Sequence, residues 1–506
     1  MPPVVLVILA SLTFCAGLTA DFVLDDNPAI LQHPAVQGTT SLTDAFTLNF
    51  WGRPLNSFPP AFRPLATLSF AIDHRLMGNS ALGFHISSLL WYIALVLAAW
   101  SFARQCIGRP AAWIAITFFV VMPVHVENVS SIVGRADTLG ALWALLAMLA
   151  VSPIMISGKE TSLVRLLLAV LAFVAAILCK ENMVVLPIIV ALFVEYRRRI
   201  ERSLSPLRAH VPSLTMVGVL SLYLVVRLRF QPSMLSNQAS DDVLVGASIW
   251  EKIGYGLELL ARYGGLLAAP TGLCTGRKFA EVFRPQHISL VMTVGAALLG
   301  LAGYLSWRAY RRREFPFVPA ALVSWFVVSG LVLAMPESMA DRFLLLPSLF
   351  LCQALGPAML FLWRKGTGGR ALLLAGLAIQ VVLSNRQART WHDNGTVLSH
   401  AVRACPDSLH NHFRYAEYLS RNGQTAEAVW HYAVLSKGKH AFPYEWSHPA
   451  KEEERSLPVE ERLHAMYRLL GFTIDEPTWR SRFEQYLLSI GRAREASLVA
   501  SMSSQP

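Results

Sequence analysis

The chain has 506 residues, of which 54% are hydrophobic and only 15% charged, with a formal net charge of +11. Ordinary soluble domains carry about 25% charged residues, so this composition excludes a large water-soluble enzyme and fits repeated passage through a membrane. The basic residues fall in short loops between apolar runs and form no single patch, which argues against a nucleic-acid partner.

Apolar runs of spanning or near-spanning length occur at about 2–19, 84–103, 111–127, 138–157, 163–179, 183–196, 211–229, 288–307, 316–335, 341–363 and 371–386. The first ends in small residues like a signal peptide, but no basic residue precedes it and many spans follow, so it reads as a transmembrane helix. A further stretch, 253–270, carries Glu258 and Arg262 four residues apart together with several glycines. That pattern suits an interfacial or re-entrant helix better than a crossing.

Charge sets the orientation. Basic loops lie at 104–109, 159–165, 197–208, 308–313 and 364–370. If 253–270 does not cross, all five fall on one side, which the positive-inside rule makes cytoplasmic. The expected fold is therefore all-α and multi-pass, with about eleven spans, the N-terminus in and the C-terminus out. The expected division is a transmembrane domain over 1–386, whose first extracytoplasmic loop is 20–83, and an extracytoplasmic helical domain over 387–506.

The terminal domain is charged and aromatic, without a spanning run. "YLSRNGQTAEA" (418–428) returns as "YLLSIGRAREA" (486–496), and Gly423 and Gly491 stand two 34-residue tetratricopeptide periods apart. Such repeats form concave surfaces for peptides or partner proteins. Six cysteines, Cys15, Cys106, Cys179, Cys274, Cys352 and Cys405, are scattered without CxxC spacing and read as small core residues, neither a metal site nor a disulfide framework.

Most of the unusual polar residues lie in the loops assigned to the outer side. "DFVLDDNPAI" (21–30) places Asp25 and Asp26 after the first span; a turn explains the pair, but carboxylates near a bilayer are costly and often functional. "PVHVENVSSIVGRAD" (123–137) supplies His125, Glu127, Arg135 and Asp137; if helical, Glu127, Ser131 and Arg135 share a face. "CKEN" adds Lys180 and Glu181, and "PESMADR" adds Glu337, Asp341 and Arg342. Asn128-Val-Ser130 and Asn394-Gly-Thr396 fit the glycosylation sequon, while no phosphate-binding glycine loop, zinc spacing or nucleophile elbow appears.

Taken in order, "FVLDDNPAI", "FRPLATLSFAID", "GFHISSLLWYIALV", "PVHVENVSSIVGRADTLGALWALLA", "LCKENMVVLP", "ESMADRFLLLPSLF" and "RQARTWHDNGTVLSHAVRACPDS" resemble the tetratricopeptide-repeat transmembrane O-mannosyltransferases, membrane glycosyltransferases of the GT-C fold. The similarity runs from about residue 15 to 437. It implies a sugar donor, mannose in that family, linked to polyprenyl phosphate and bound within the membrane. It further implies inverting transfer to a hydroxyl acceptor, usually Ser or Thr of a protein, on the extracytoplasmic face. One of Asp25 and Asp26 would then be the general base and the other would orient the acceptor or help bind a metal. Arg135, Lys180 and Arg342 would meet the donor phosphate, with His125, Glu127, Asp137 and Glu181 as acceptor-side or auxiliary groups. No cofactor is required by the sequence, although a divalent cation is compatible with it. The partners implied are the lipid-linked sugar, membrane lipids and an acceptor protein or peptide held by the repeats. The membrane implied is a bacterial inner membrane, or that of the endoplasmic reticulum in a eukaryote.

Two other readings compete. A non-catalytic scaffold would recruit a partner through its repeats and tolerate Asp25→Asn. A transporter would carry ionisable residues in mid-span and repeated halves, whereas here the span interiors are almost free of charge.

Overall fold

Backbone N–H and C=O groups find no partners in hydrocarbon, so an apolar run must close its own hydrogen bonds, which a helix does. In the computed structural model the described residues are 3–57, 61–200, 205–232, 247–277, 289–331, 337, 339–406, 408–424 and a few isolated positions beyond. Their architecture is helical, and the extended pairings among them are two isolated bridges, Leu48 with Pro54 and Arg277 with Met339.

The principal helices are α1 (Val4–Phe14), α2 (Pro64–Met77), α3 (Ala81–Val120), α4 (Arg135–Ala150), α5 (Leu163–Cys179), α6 (Leu186–Ile200) and α7 (Val211–Phe230). They continue as α8 (Ile249–Ala268), α9 (Leu290–Arg312), α10 (Phe317–Phe326), α11 (Leu345–Arg364), α12 (Thr367–Arg389), α13 (Asn394–Ala404) and α14 (Leu409–Arg421). Among the described residues six stretches are long and apolar enough to cross a membrane: Ala81–Val120, Ile132–Ala150, Val211–Phe230, Leu290–Arg312, Asp341–Arg364 and Thr367–Arg389. Shorter apolar helices cover Val4–Thr19, Leu163–Cys179 and Phe317–Phe326.

The long helix α3 is two arms joined by a reversal. Gly108 has φ 76° and ψ 159°, a conformation open to glycine and strained for other residues, and Pro110 follows it. The arms fold back on each other, because the Tyr92 hydroxyl donates to the Val120 carbonyl at 3.1 Å and the Trp100 and Trp113 rings lie 6.0 Å apart. The runs 84–103 and 111–127 are thus separate arms, but the second helix stops at Val120. Two other expected spans also differ. The run 138–157 divides at Val151 into α4 and a short helix, Ser152–Ser157, and in 316–335 the helix ends at Phe326. Helix α8 bears the expected Glu258–Arg262 pair at 2.8 Å, and its N-terminus is closed by a capping box of Ser248 and Glu251.

Phe193 of α6 knits the bundle, its ring 5.7 Å from Phe102, 5.6 Å from Phe317 and 6.4 Å from Phe350. At one end of the bundle, the polar segments fold together. There 123–137 is not one helix. It has a turn at Pro123–His125, a short helix Val126–Ser130, an extended Ser131, a turn at Ile132–Gly134, and then α4. Gly134 permits the reversal, since a Cβ there would sit 2.3 Å from the Glu127 carbonyl oxygen. Glu127 and Arg135 therefore do not share a helix face as the spacing suggested.

The six cysteines are not all separate core residues, as their scatter suggested. Cys274 and Cys405 form a disulfide across 131 residues, a separation that leaves no spacing signal in the sequence. It ties the segment after α8 to the end of α13. Helices α13 and α14 lie in the described part of the stretch 387–506, and Gly423, with φ 77°, follows α14. The second repeat copy, 486–496, lies almost wholly outside the described residues. Because a crosslink over so long a loop restricts the unfolded chain, Cys405→Ser should lower stability by about 2–4 kcal/mol. Thermal unfolding in detergent tests this, and the Cys274→Ser, Cys405→Ser double variant should match the single one.

Candidate functional site

The apolar first helix gives way at residue 20 to a loop that has to satisfy its own polar backbone at the bundle end. Asp26 does much of this work. Its side chain is fully buried, with Oδ2 accepting from the Val23 amide at 3.1 Å and Oδ1 from the Val133 amide at 2.8 Å. Burial pushes this carboxyl up to about 7; the adjacent Asp25 adds to the rise, and the amides of Val133 and Val23 oppose it. Asp26 thus staples the first loop to the Ile132–Gly134 turn.

Asp25, its neighbour, faces the other way. Its side chain is 32% exposed and lies 3.4 Å from the Arg414 guanidinium. It follows Leu24, which holds φ 50°, an uncommon conformation for a branched residue. Strain of that kind persists where the surroundings impose it; here the Leu24 amide donates to Asn394 Oδ1 at 2.8 Å and the Asp21 amide to the His392 carbonyl at 2.8 Å. The complete burial of Asn128 argues against that sequon accepting a glycan.

Arg342 occupies the centre of the cluster. It pairs with Glu127 and Glu337, its amide donates to Glu127 Oε2 at 3.0 Å, and Asp25 and Asp137 lie within its electrostatic reach. Lys180 donates to Asp137 Oδ2 at 2.7 Å. Desolvation lowers this ammonium to about 8; Arg63 and Arg342 add to the fall while Asp137 resists it. Glu181 accepts from the Phe62 amide and from Arg63 Nε, both at 2.9 Å, with Arg227 3.7 Å away. Burial raises the Glu181 carboxyl, but Arg63, Arg227 and Lys180 outweigh it and hold the group down at about 2.

Asp25, Glu127, Asp137, Lys180, Glu181 and Arg342 therefore form one connected cluster. Three expected members stand apart from it: Asp26, held by the backbone amides of Val23 and Val133, and then Arg135 and His125. Arg135 is fully buried against Asp73 at 2.5 Å, the Phe84 carbonyl at 2.8 Å and Ser88 Oγ at 3.0 Å, with its guanidinium 4.9 Å from the Phe70 ring centre. His125 is buried in the bundle, its ring nitrogens each 2.9 Å from Tyr92 Oη and Ser348 Oγ. Sequence reasoning missed Arg63, Asp73, Arg227 and Arg414. "FRPLATLSFAID" contained the first two, but nothing local identifies their partners. Among the described residues no group of three or more His, Cys, Asp or Glu is placed to hold a metal ion, so no step is assigned to one.

An open carboxylate beside several cations, at the polar end of an apolar helical bundle, suits transfer of a group from an anionic lipid. The profile of the dolichyl-phosphate-mannose-protein mannosyltransferase family matches residues 59–228. The chain is 22% identical over 443 residues to the Caenorhabditis elegans protein O-mannosyl-transferase F38B6.6, covering 85% of this chain and 61% of that protein. It is 24% identical over 481 residues to the human protein O-mannosyl-transferase TMTC1, covering 84% and 54%. It thus spans little more than half the length of these curated relatives. Among solved structures, ArnT from Cupriavidus metallidurans bound to undecaprenyl phosphate aligns with a TM-score of 0.42 and 16% identity, covering 85% of this chain and 75% of ArnT. The resemblance to the tetratricopeptide-repeat O-mannosyltransferases therefore stands.

Arg135, fully enclosed, has a structural task that can be tested. Removing one partner of a buried pair leaves an uncompensated charge, so Asp73→Asn should cost about 3 kcal/mol or more. A clear drop in melting temperature is expected; an unchanged one would show that Asp73 and Arg135 are not a structural pair.

Proposed function

We propose that this chain is a membrane glycosyltransferase that moves a sugar, mannose by analogy with its relatives, from a polyprenyl-phosphate carrier to a hydroxyl acceptor, a protein Ser or Thr, on the extracytoplasmic face. One observation carries the reading: Asp25 is an accessible carboxylate on an imposed backbone conformation, within electrostatic reach of Arg342 and beside a cluster that includes Lys180 and Arg63.

In the proposed step, Asp25 takes the acceptor hydroxyl's proton as its oxygen attacks the anomeric carbon. The bond from that carbon to the phosphate oxygen breaks on the opposite face, which inverts the centre. The lipid phosphate leaves with the bonding electrons, and Arg342 and Lys180, with Arg63, stabilise its charge. Asp26 holds the loop that carries Asp25, and Glu181 holds Arg63.

The topology belongs to the same proposal: eleven crossings with the N-terminus inside, a transmembrane domain over 1–386 and an outer repeat domain over 387–506 that receives the acceptor. Contacts support it. Every segment expected outside touches another such segment: Leu24 with Asn394, Arg63 with Glu181, Glu127 with Arg342, Gln231 with Leu55 and Arg277 with Asp341. Basic loops expected inside also meet, Arg199 with Tyr310 and Arg208 with Glu160. A disulfide on the outer face fits an oxidising compartment such as the periplasm or the lumen of the endoplasmic reticulum.

Transfer from labelled polyprenyl-phosphate mannose and glucose to extracytoplasmic protein, in isolated membranes, tests the reading. Asp25→Asn should reduce transfer by about 10²–10⁴-fold in a chain that still folds; full activity in that variant would end the assignment. Lys180 supplies a pH test. Its ammonium is charged below about 8, so transfer at sub-saturating donor should fall as pH rises through that value. Lys180→Arg should extend the plateau upward, and an unmoved alkaline limb would remove Lys180 from the phosphate site.

A further inference from the structure

The terminal domain bears directly on the loop that holds Asp25. From the juxtaposition of Arg414 with Asp25 we infer that Arg414 is a positioning residue for this carboxylate, and that the segment 392–414 is a working part of the transfer site as well as a surface for acceptors. The inference rests on Asp25 being the base.

Three contacts from this segment fall within five residues of the first loop. The His392 carbonyl accepts from the Asp21 amide, Asn394 Oδ1 accepts from the Leu24 amide, and Arg414 Nη2 lies 3.4 Å from Asp25 Oδ1. The middle contact satisfies the amide of the residue held at positive φ, so it supports the conformation that presents Asp25. Arg414 engages one carboxylate oxygen, which leaves Oδ2 for an incoming hydroxyl. A half-exposed ion pair contributes little to stability, so stability does not account for the pairing. Orientation does, because misplacing a reacting group by about 1 Å costs about 10²-fold in rate.

The segment is itself fastened to the bundle end. Cys405 is bonded to Cys274, Ser408 Oγ donates to the Gly276 carbonyl at 3.0 Å, and His400 Nε2 lies 3.0 Å from the Leu273 carbonyl. Next along that loop, Arg277 lies 3.9 Å from Asp341, the residue before Arg342. Arg414, which pairs with Asp25, and Arg342 are thus linked through one loop.

The test uses the full-length chain in nanodiscs, with undecaprenyl-phosphate mannose and a threonine peptide as probes. Arg414→Gln should lower kcat by about 10–100-fold with the donor KM within about twofold, and Arg414→Lys should recover most of the loss. Hydrogen exchange across 21–27 should quicken in Arg414→Gln and in Asn394→Ala whether or not these probes are turned over. If Asp25→Asn abolishes transfer while Arg414→Gln keeps both full kcat and parental exchange, the positioning role is overturned and the base assignment survives. If Asp25→Asn stays active, the base assignment fails first and takes the positioning role with it.

Discussion

A guanidinium at the lip of an apolar bundle has to be neutralised close by, since neither hydrocarbon nor a packed core hydrates it. Arg342 meets this constraint with Glu127 and Glu337, and much of the polar end of the molecule follows from that. Glu127 can reach Arg342 because the 123–137 segment leaves the helical path, and that departure relies on Gly134. The same turn offers the Val133 amide to Asp26, which fixes the loop carrying Asp25. Pairing of charges and placement of the proposed base are consequences of one backbone reversal.

The two adjacent carboxylates are separated in role by environment. Asp26 is enclosed and accepts two backbone hydrogen bonds, while Asp25 is partly exposed and pairs with the Arg414 guanidinium. Burial and hydrogen bonding act differently on neighbouring acids, so a repeated residue need not have a repeated function. The cations divide in the same way. Arg135, enclosed by Asp73, Ser88 and the Phe84 carbonyl, maintains the packing of α2 against α3 and α4, whereas Arg342 and Arg63 keep partial access to solvent.

Helical content and the location of the polar residues were legible in the sequence because apolar length and the placement of charges are local properties. The reversal between the two arms of α3 falls where the apolar runs 84–103 and 111–127 are interrupted by a basic loop. The end of α10 at Phe326 was not, since apolar residues continue beyond it and hydropathy does not register where a helix stops. Helical spacing joined Glu127 to Arg135, but an extended Ser131 separates them and their partners lie 215 and 62 residues away. Pairings over such distances, like that of Cys274 with Cys405, depend on how the helices pack, and no sequence window contains that information.

The contact between Asp25 and Arg414 also sets an order of assembly. The two residues are 389 positions apart, so the ribosome makes the carboxylate early and its partner only after every helix of the bundle. A growing chain carries Asp25 on a loop with neither the Asn394 support nor the Arg414 contact until that last segment has been delivered. The conformation of the Asp25 loop is therefore completed late in biosynthesis, once residues 392–414 have been made.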